Sequence, residues 1–400
     1  MNIECLIVFR KKGRQSMAER ALAHIEKIEW FRPIEGADNI ELIGVLGWVC
    51  IAKKGEFNVG DLAVYVEIDS KCPSEDERFA FLESKHYKVK TMKLGKFKVI
   101  SQGLALPITL FPELNGKAIG TDVTETLKIT YSCEEDIKRK SNKVDPEAKY
   151  KAMANRRPNL FKKPLVRKIM KYKLGRKIMF LIFGRKKDNP KEFPKWIVKT
   201  DETRIENAPF YLESTDKWIK TEKLDGTSCT YAVEKGKKNK YEFIVCSRNV
   251  RQADRNQETY HDSNIYWELA DKYDIENILT NYAIKNGYER VVLQGEGVGS
   301  VQGNPYKFTE NQLFVFNLVV NGTRLGTVEM AEFCRQNGLT HVPIISTEYT
   351  LPKTMEEMKL EADGYSEINP KVKREGFVYR SVDGQQSFKN VSREYLLKHS

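Results

Sequence analysis

The segment at residues 221–228 most strongly constrains how this chain folds, because it joins a strand to a glycine turn with a lysine just before the turn. Successive side chains of a strand point to opposite faces, so Lys223 and Asp225 share one face and Glu222 lies on the other. Gly226 then allows a sharp turn. A lysine held on a strand in this Lys-x-Asp-Gly pattern suits an amine that attacks a nucleotide phosphate, but the pattern is short and needs support from other segments.

Further segments of related character follow the lysine in a fixed order. They span residues 246–249, 292–297, 313–318, 374–379 and 387–390. Each places a charged or aromatic group at the edge of an apolar strand, where it can line a pocket. This ordered set resembles the covalent nucleotidyltransferase superfamily of ATP-dependent ligases and mRNA capping enzymes.

Residues 17–110 are predicted to form a small β-barrel. Short apolar strands are expected at residues 22–28, 40–45, 48–52 and 62–68. Glycines and a proline separate them, and several short strands at this spacing favour a barrel. Residues 86–97 interleave basic and apolar side chains, among them Lys88, Lys90 and Lys93. Barrels of the OB type bind single strands through such surfaces, although a solvated strand face remains an open alternative.

The positive charge of the chain is concentrated in one segment. Residues 138–187 hold nineteen Lys or Arg against two acids, a net charge of +17, which leaves −5 for the rest of the +12 chain. Three interpretations remain open for this basic insert: a phosphate-binding arm, a membrane-surface helix or a solvated linker. We favour the nucleic-acid arm.

A mixed pattern resumes at residue 193. Strands are predicted at residues 218–223, 229–233, 241–246, 290–294 and 312–320, and helices at 263–286 and 327–337. Thr327 is the expected N-cap of the second helix, Glu329 lies in its first turn and Gly338 just past its end. Hairpins with helices grouped between them indicate an α+β fold with largely antiparallel sheets. The predicted domains are an OB-fold domain (17–127), a basic insert or linker (128–192) and a nucleotidyltransferase domain (193–400).

The order of these domains narrows the resemblance. A barrel that precedes the lysine, with residues 193–195 and 199–205 just upstream of it, is similar to the RNA ligase family typified by the Naegleria and Deinococcus enzymes. The resemblance implies ATP-dependent joining of RNA ends that carry a 5′-phosphate and a 3′-hydroxyl, in RNA repair. Lysyl-AMP would form first, AMP would pass to the 5′-phosphate, and the 3′-hydroxyl would then displace it.

The resemblance also implies roles for individual residues. Lys223 would be the nucleophile, Glu222 would lie beside adenine and Phe316 would stack on it. The sugar-phosphate side of the nucleotide would meet Arg248, and the α-phosphate would meet Lys389. Glu296 and Glu375 would hold Mg²⁺ or Mn²⁺ or its waters; carboxylates are the right ligand type for these ions.

The chain departs from the superfamily pattern at two positions. Ser387 occupies the first slot of the usual Lys-x-Lys motif, and Ser228 stands where some ligases have Arg or Asn. A free lysine has a pKa near ~10.4 and is non-nucleophilic at neutral pH. Lowering the pKa of Lys223 by ~3 units would require roughly 4 kcal/mol, from burial or a nearby dication.

Composition bounds the remaining function classes. No apolar run approaches the roughly 18 residues that a membrane span needs, and residues 1–17 lack a signal-peptide pattern. Met17 is a possible initiator, because the recognisable domain begins there. The seven cysteines are scattered, and Cys229 and Cys246 are expected to be buried thiols, which indicates a reducing, cytoplasmic setting. The five histidines show no metal-ligand spacing.

We expect a monomer. The alternatives are a DNA ligase, an RNA guanylyltransferase or a non-catalytic RNA-binding protein.

Overall fold

The computed structural model describes residues 21–131, 158–183, 191–252 and 264–399. The chain divides into two compact units. One comprises residues 1–131, 192–252 and 264–400, and it contains the barrel and the ligase-type domain. The other comprises residues 132–191 and 253–263 and contains the described part of the basic insert.

The N-terminal part is a curled antiparallel sheet with two small hairpin-like additions. Its strands are β1 Ala23–Pro33, β2 Ile40–Val45, β3 Trp48–Lys53, β4 Leu62–Val66, β5 Ser70–Lys71, β6 Thr91–Leu94, β7 Val99–Gln102, β8 Leu104–Pro107 and β9 Thr130–Tyr131. The main sheet has the order β3-β2-β1-β4-β8, while β5 pairs with β9 and β6 with β7. Short 3₁₀ helices span Glu77–Lys85, Ile108–Leu110 and Pro112–Leu114.

Strand β1 is longer than the sequence pattern predicts, because it serves two partners. Its first half pairs with β4 and its second half with β2, with an irregular register between Ile28 and Trp30. Such a bulge bends a strand and increases its twist, which curls the sheet toward a barrel. The predicted strand at Ile40–Val45 is confirmed.

The described part of the basic insert is helical. It contains α1 Pro158–Phe161, α2 Pro164–Met170 and α3 Lys173–Phe183. Phe161 and Met179 are the buried members of one small apolar cluster. The other residues of the 138–187 segment lie outside the described residues. Among the described parts of the chain, no helix is long and apolar enough to cross a membrane.

The ligase-type domain consists of two sheets with helices beside them. Its strands are β10 Lys191–Glu192, β11 Thr203–Arg204, β12 Trp218–Lys223, β13 Thr227–Lys235, β14 Tyr241–Cys246, β15 Val250–Arg251, β16 Arg290–Val298, β17 Gln312–Val320, β18 Thr323–Arg324, β19 Thr340–His341, β20 Ile344–Tyr349, β21 Gly376–Ser381 and β22 Ser387–Val391. Its helices are α4 Ile265–Lys272, α5 Ile275–Asn286, α6 Thr327–Gln336, α7 Met355–Ala362 and α8 Arg393–His399, with 3₁₀ turns at Ile205–Asn207, Pro209–Glu213 and Lys237–Asn239.

The chain passes from one sheet to the other directly after Lys223. Strand β12 belongs to the sheet β11-β22-β21-β12-β20, whereas β13 belongs to the run β15-β14-β13-β16-β17-β18, in which β19 also pairs with β17. Strand β16 continues to Val298, past the predicted end at residue 294, because β13 and β17 pair with its glycine-containing end on both sides.

Two helix predictions need correction. The predicted helix at 263–286 is two helices, since Asp274 adopts a left-handed backbone conformation with φ of 51° between α4 and α5; residue 263 lies outside the described part. The N-cap of α6 is Gly326, not Thr327, because the carboxylate of Glu329 accepts the Gly326 N–H at 3.0 Å and performs the capping. Gly338 follows the helix with φ of 67°, as predicted.

The described cysteines are buried free thiols. They are Cys50, Cys72, Cys229, Cys246 and Cys334. The expectation for Cys229 and Cys246 is therefore confirmed; Cys5 and Cys133 lie outside the described residues.

Candidate active site

Strand pairing around the sheet-to-sheet crossing brings distant residues to Lys223. Lys223 ends β12 opposite Gly376 of β21, so Glu375 lies beside it. Ser228 of β13 pairs with Glu296 of β16. A Cβ on Gly226 would collide with the carbonyl of Gly297, so the turn needs glycine for its close approach to β16.

The amine of Lys223 forms an ion pair with Glu375. Nζ donates to Oε2 of Glu375 at 2.8 Å. Burial by itself would lower the pKa of Lys223, but the charges of Glu375 and Glu296 outweigh it and raise the pKa above its ordinary value. Burial therefore acts in the expected direction, but beside these two carboxylates it does not lower the pKa on its own, and the amine is a cation.

Both predicted metal ligands are half-buried carboxyls that lie near other charged groups. Burial raises the pKa of Glu296 to about 8, against the opposing charge of Lys223. Burial also raises the pKa of Glu375. The charge of Asp225 contributes to both shifts. The backbone N–H of Asp225 donates to the hydroxyl of Tyr306 at 2.8 Å, which fixes the turn.

The donor set fits a hard dication. Mg²⁺ and Mn²⁺ prefer oxygen ligands, and Mg²⁺ commonly takes one or two carboxylates together with substrate phosphates and water. Glu296 and Glu375 supply two such carboxylates, and a dication would favour their charged forms against the burial and the charge repulsion that raise their pKa values. No group of three or more ligating side chains occurs within the described residues, so the remaining ligands would come from nucleotide and solvent.

The two residues predicted to hold the base, Glu222 and Phe316, lie on strands of different sheets, β12 and β17. One carboxylate oxygen of Glu222 accepts the backbone N–H of Glu367 at 2.8 Å, and the other is buried without a partner. Phe316 is half-buried against the apolar cluster that contains Leu224 and Val298. A buried acceptor without a partner suits the amino group of a base, and a half-buried aromatic ring suits stacking on a base.

Asp201 brings the two predicted phosphate-side cations together. Lys389 Nζ lies 2.6 Å from Oδ1 of Asp201, and Arg248 lies 3.3 Å from Oδ2. Arg248 is exposed and also lies over the ring of Tyr131, 5.9 Å from its centroid. A carboxylate therefore occupies the space between two cations that suit a phosphate.

A second charged cluster lies behind Lys389. Glu202 contacts Arg380 and Arg324 at 3.3 and 3.4 Å and also accepts a hydrogen bond from Ser387. Burial would raise the pKa of Glu202, yet the two guanidinium groups lower it overall. The slot that often holds a lysine in the superfamily thus belongs to this network.

Sequence reasoning missed the roles of Asp201, Glu202 and Tyr306. The first two stand in the 199–205 segment, whose position upstream of the nucleophile was the available signal. Tyr306 lies in a loop with no motif and is positioned only by the fold.

The predicted RNA-binding lysines lie on the barrel and not at the nucleophile. Lys88 is half-buried, and its backbone forms an isolated antiparallel β-bridge with that of Lys71. Lys90 is exposed just before β6, and Lys93 is exposed within it.

Known families match the two domains separately. A family model described as an OB-fold domain matches residues 22–108, and one described as RNA ligase matches residues 216–398. The structure of Naegleria gruberi RNA ligase with PPi is 30% identical, covering 95% of this chain and 99% of that chain, with a TM-score of 0.71. The chain belongs to this RNA ligase family. No curated protein matches significantly.

Other structures of the Naegleria enzyme match this chain to a similar extent. An apo variant has 29% identity over 96% of this chain and 99% of that one, with a TM-score of 0.73. A variant with AMP and Mn has 29% identity, 95% and 99% coverage, and a TM-score of 0.72. The predicted ATP-dependent RNA ligase with an N-terminal OB domain and an α+β catalytic domain is confirmed. The expected ATP and Mg²⁺ or Mn²⁺ agree with a further structure of a Naegleria enzyme variant that contains ATP and Mn.

Proposed function

We propose that this RNA ligase joins 3′-hydroxyl and 5′-phosphate RNA ends through a lysyl-AMP intermediate on Lys223. The observation that carries the proposal is the amine of Lys223, held at 2.8 Å by Glu375 at the crossing between two sheets. It is a positioned nucleophile on a rigid strand, in a chain of the RNA ligase family.

The reaction balances in three steps. The lone pair of Lys223 Nζ attacks the α-phosphorus of ATP, a P–N bond forms, and the bond to pyrophosphate breaks. An oxygen of the RNA 5′-phosphate then attacks the AMP phosphorus and displaces Nζ. Finally the oxygen of the 3′-hydroxyl attacks the RNA 5′-phosphorus and gives up its proton to solvent; a P–O bond forms, the P–O bond to AMP breaks, and AMP leaves.

The first step requires that Nζ lose its proton. Glu375 holds the ammonium in the resting site and orients Nζ through one hydrogen bond. A dication held by Glu296 and Glu375 would offset the negative charge that raises the pKa of Lys223 and would stabilise charge on the phosphates. Positioning and electrostatics are then the main catalytic contributions.

The nucleotide would be held from two sides. The unpaired oxygen of Glu222 would accept from the adenine amino group, and Phe316 would stack on the base. Lys389 and Arg248 would exchange Asp201 for phosphate oxygens, because phosphate offers these cations more charge and more acceptors.

The broader assignments are also proposals. We place the enzyme in the cytoplasm, since its described cysteines are buried free thiols, and we propose a monomer that acts in RNA repair. Lys88, Lys90 and Lys93 would contact RNA phosphates on the barrel. We retain the proposed domains 17–127, 128–192 and 193–400.

Covalent labelling tests the assignment. The full-length protein is incubated with α-labelled ATP or GTP and run on a denaturing gel. We expect label from ATP in the wild type, none in Lys223→Ala, and normal label in the control Lys217→Ala. Lys217 is a suitable control because it lies just before the same strand and its amine contacts Thr350. Label from GTP would favour a guanylyltransferase, and labelling of Lys223→Ala at the wild-type level would refute the proposed nucleophile.

A further inference from the structure

Helix α3 of the basic insert presents large aliphatic side chains to solvent. Leu174, Leu181 and Ile182 are 69%, 86% and 62% exposed, and Ile178 is also exposed. Soluble surfaces tolerate single exposed apolar residues, but a contiguous set marks an interaction surface.

These side chains occupy one side of the helix. At about 100° per residue, Leu174, Ile178 and Leu181 fall within about 60° of each other, and Ile182 borders them. Met179, about 100° beyond Ile178, is buried in the small cluster that holds α3 against its neighbours. The exposed side is therefore distinct from the side that packs.

Cations flank this apolar face. Residues 158–183 contain eight Lys or Arg and no acid. Within α3, Lys173, Arg176 and Lys177 project from the remaining side by the same helical arithmetic. An apolar face bordered by Lys and Arg is the pattern of a helix that lies in a membrane interface.

The length of α3 excludes a spanning role. Its eleven residues extend about 16 Å, roughly half of the ~30 Å hydrocarbon thickness. A helix of this length can bury its apolar side among lipid tails while its cations stay at the headgroups.

The aliphatic residues separate this interpretation from nucleic-acid binding. RNA binding uses cations for phosphates and aromatic rings or Arg for bases; exposed Leu and Ile add nothing to either. The sequence alone favours a nucleic-acid arm, because the cations need an anionic partner. The exposed aliphatic side chains also need an apolar partner, and anionic lipid offers both properties whereas RNA does not.

We propose that α3 docks this RNA ligase on the surface of anionic membranes, with Leu174, Ile178, Leu181 and Ile182 inserted at the interface and the flanking cations on lipid headgroups. The proposal concerns a surface outside the nucleotidyl-transfer residues, so it is independent of the proposed mechanism.

Vesicle co-sedimentation of the full-length protein tests the docking. Vesicles of phosphatidylcholine with phosphatidylglycerol are compared with phosphatidylcholine alone. Each cation near an anionic surface raises partitioning roughly five-fold, so we expect at least about ten-fold tighter binding to the anionic vesicles, weakened by salt. Equal or absent binding to both vesicle types would overturn the proposal.

A matched pair of variants separates the apolar contribution. Ile182→Ser combined with Leu181→Ser should lower partitioning by at least about ten-fold. Ile284→Ser is the control, since Ile284 is a helical isoleucine of the same 62% exposure in the other unit. All variants should still form the ATP adduct, which verifies folding.

The competing nucleic-acid arm predicts a different result. If the wild type ignores vesicles while Lys173→Ser with Lys177→Ser weakens RNA binding and flattens its salt dependence, the insert is an RNA-binding arm and the membrane proposal is wrong. A double serine variant that loses no more vesicle binding than Ile284→Ser would also refute it.

Discussion

Replacing His24 with glutamine should destabilise the protein more at pH 6 than at pH 10, because His24 is a buried cation between two carboxylates. Its Nδ1 lies 2.8 Å from Oε1 of Glu26, and its Nε2 lies 3.5 Å from Oε1 of Glu67. Burial lowers the pKa of His24, but the hydrogen bonds and charges of Glu26 and Glu67 outweigh it and raise the pKa from 6.5 to about 9.

The size of the effect follows from this shift. A rise of about 2.5 pH units at 1.36 kcal/mol per unit corresponds to about 3 kcal/mol of folding free energy. Since the folded pKa is raised, this stabilisation is complete below the unfolded value near 6.5 and is lost as pH rises through about 9. The pH-dependent part of the difference between wild type and His24→Gln should therefore disappear by about pH 10.

Urea unfolding of wild type and His24→Gln across this pH range measures the gap in the free energy of unfolding. His341→Gln is the matched control, because the ring of His341 contacts the backbone carbonyl of Val342; its gap should not follow the same curve. A gap for His24→Gln that stays constant from pH 6 to pH 10 would refute the reasoning.

The network of His24 also reaches the ligase domain. Asn207 donates to Glu67 and accepts the indole N–H of Trp48 at 2.5 Å. The backbone N–H of Gly47 donates to the carbonyl of Glu206 at 2.8 Å. The predicted pH dependence is thus a property of the barrel and of the contacts that hold it to the catalytic domain.

Three further outcomes are expected. Glu375→Ala should give no ATP adduct at any practical Mg²⁺ or Mn²⁺ concentration, since a site that lacks one of two carboxylates binds the ion poorly; full labelling without added metal would contradict this. Lys359→Ala should cost roughly 3–5 kcal/mol in urea unfolding, because it leaves Glu206 buried and uncompensated, and a loss below about 1 kcal/mol would argue against that burial. Phe316→Ala should raise the KM for ATP about ten-fold in adduct formation through lost stacking, whereas an unchanged KM would remove Phe316 from the base site.

The sequence by itself determined several strands and singled out the segment of the proposed nucleophile. Trp218–Lys223, Tyr241–Cys246 and Gln312–Val320 have the bounds that their apolar and β-branched residues predict. Short runs of apolar and β-branched residues between turn signals can be recognised locally. The bounds of β1 and β16, in contrast, depend on their partner strands. The order of motifs, together with the barrel before them, was sufficient for the family.

Only the tertiary structure decided the charge state of the site and the partners of its cations. Glu375 lies 152 positions from Lys223 and reaches it through the register of β12 with β21. Although burial lowers the pKa of the amine, the charges of Glu375 and Glu296 outweigh it and raise that pKa. Three other features likewise depend on which groups long-range packing brings together or leaves in water. They are the position of Asp201 between Lys389 and Arg248, the cap at Gly326 and the exposed apolar side of α3. A pKa, an ion pair and an exposed face are sums over spatial neighbours, and a linear pattern does not contain those neighbours.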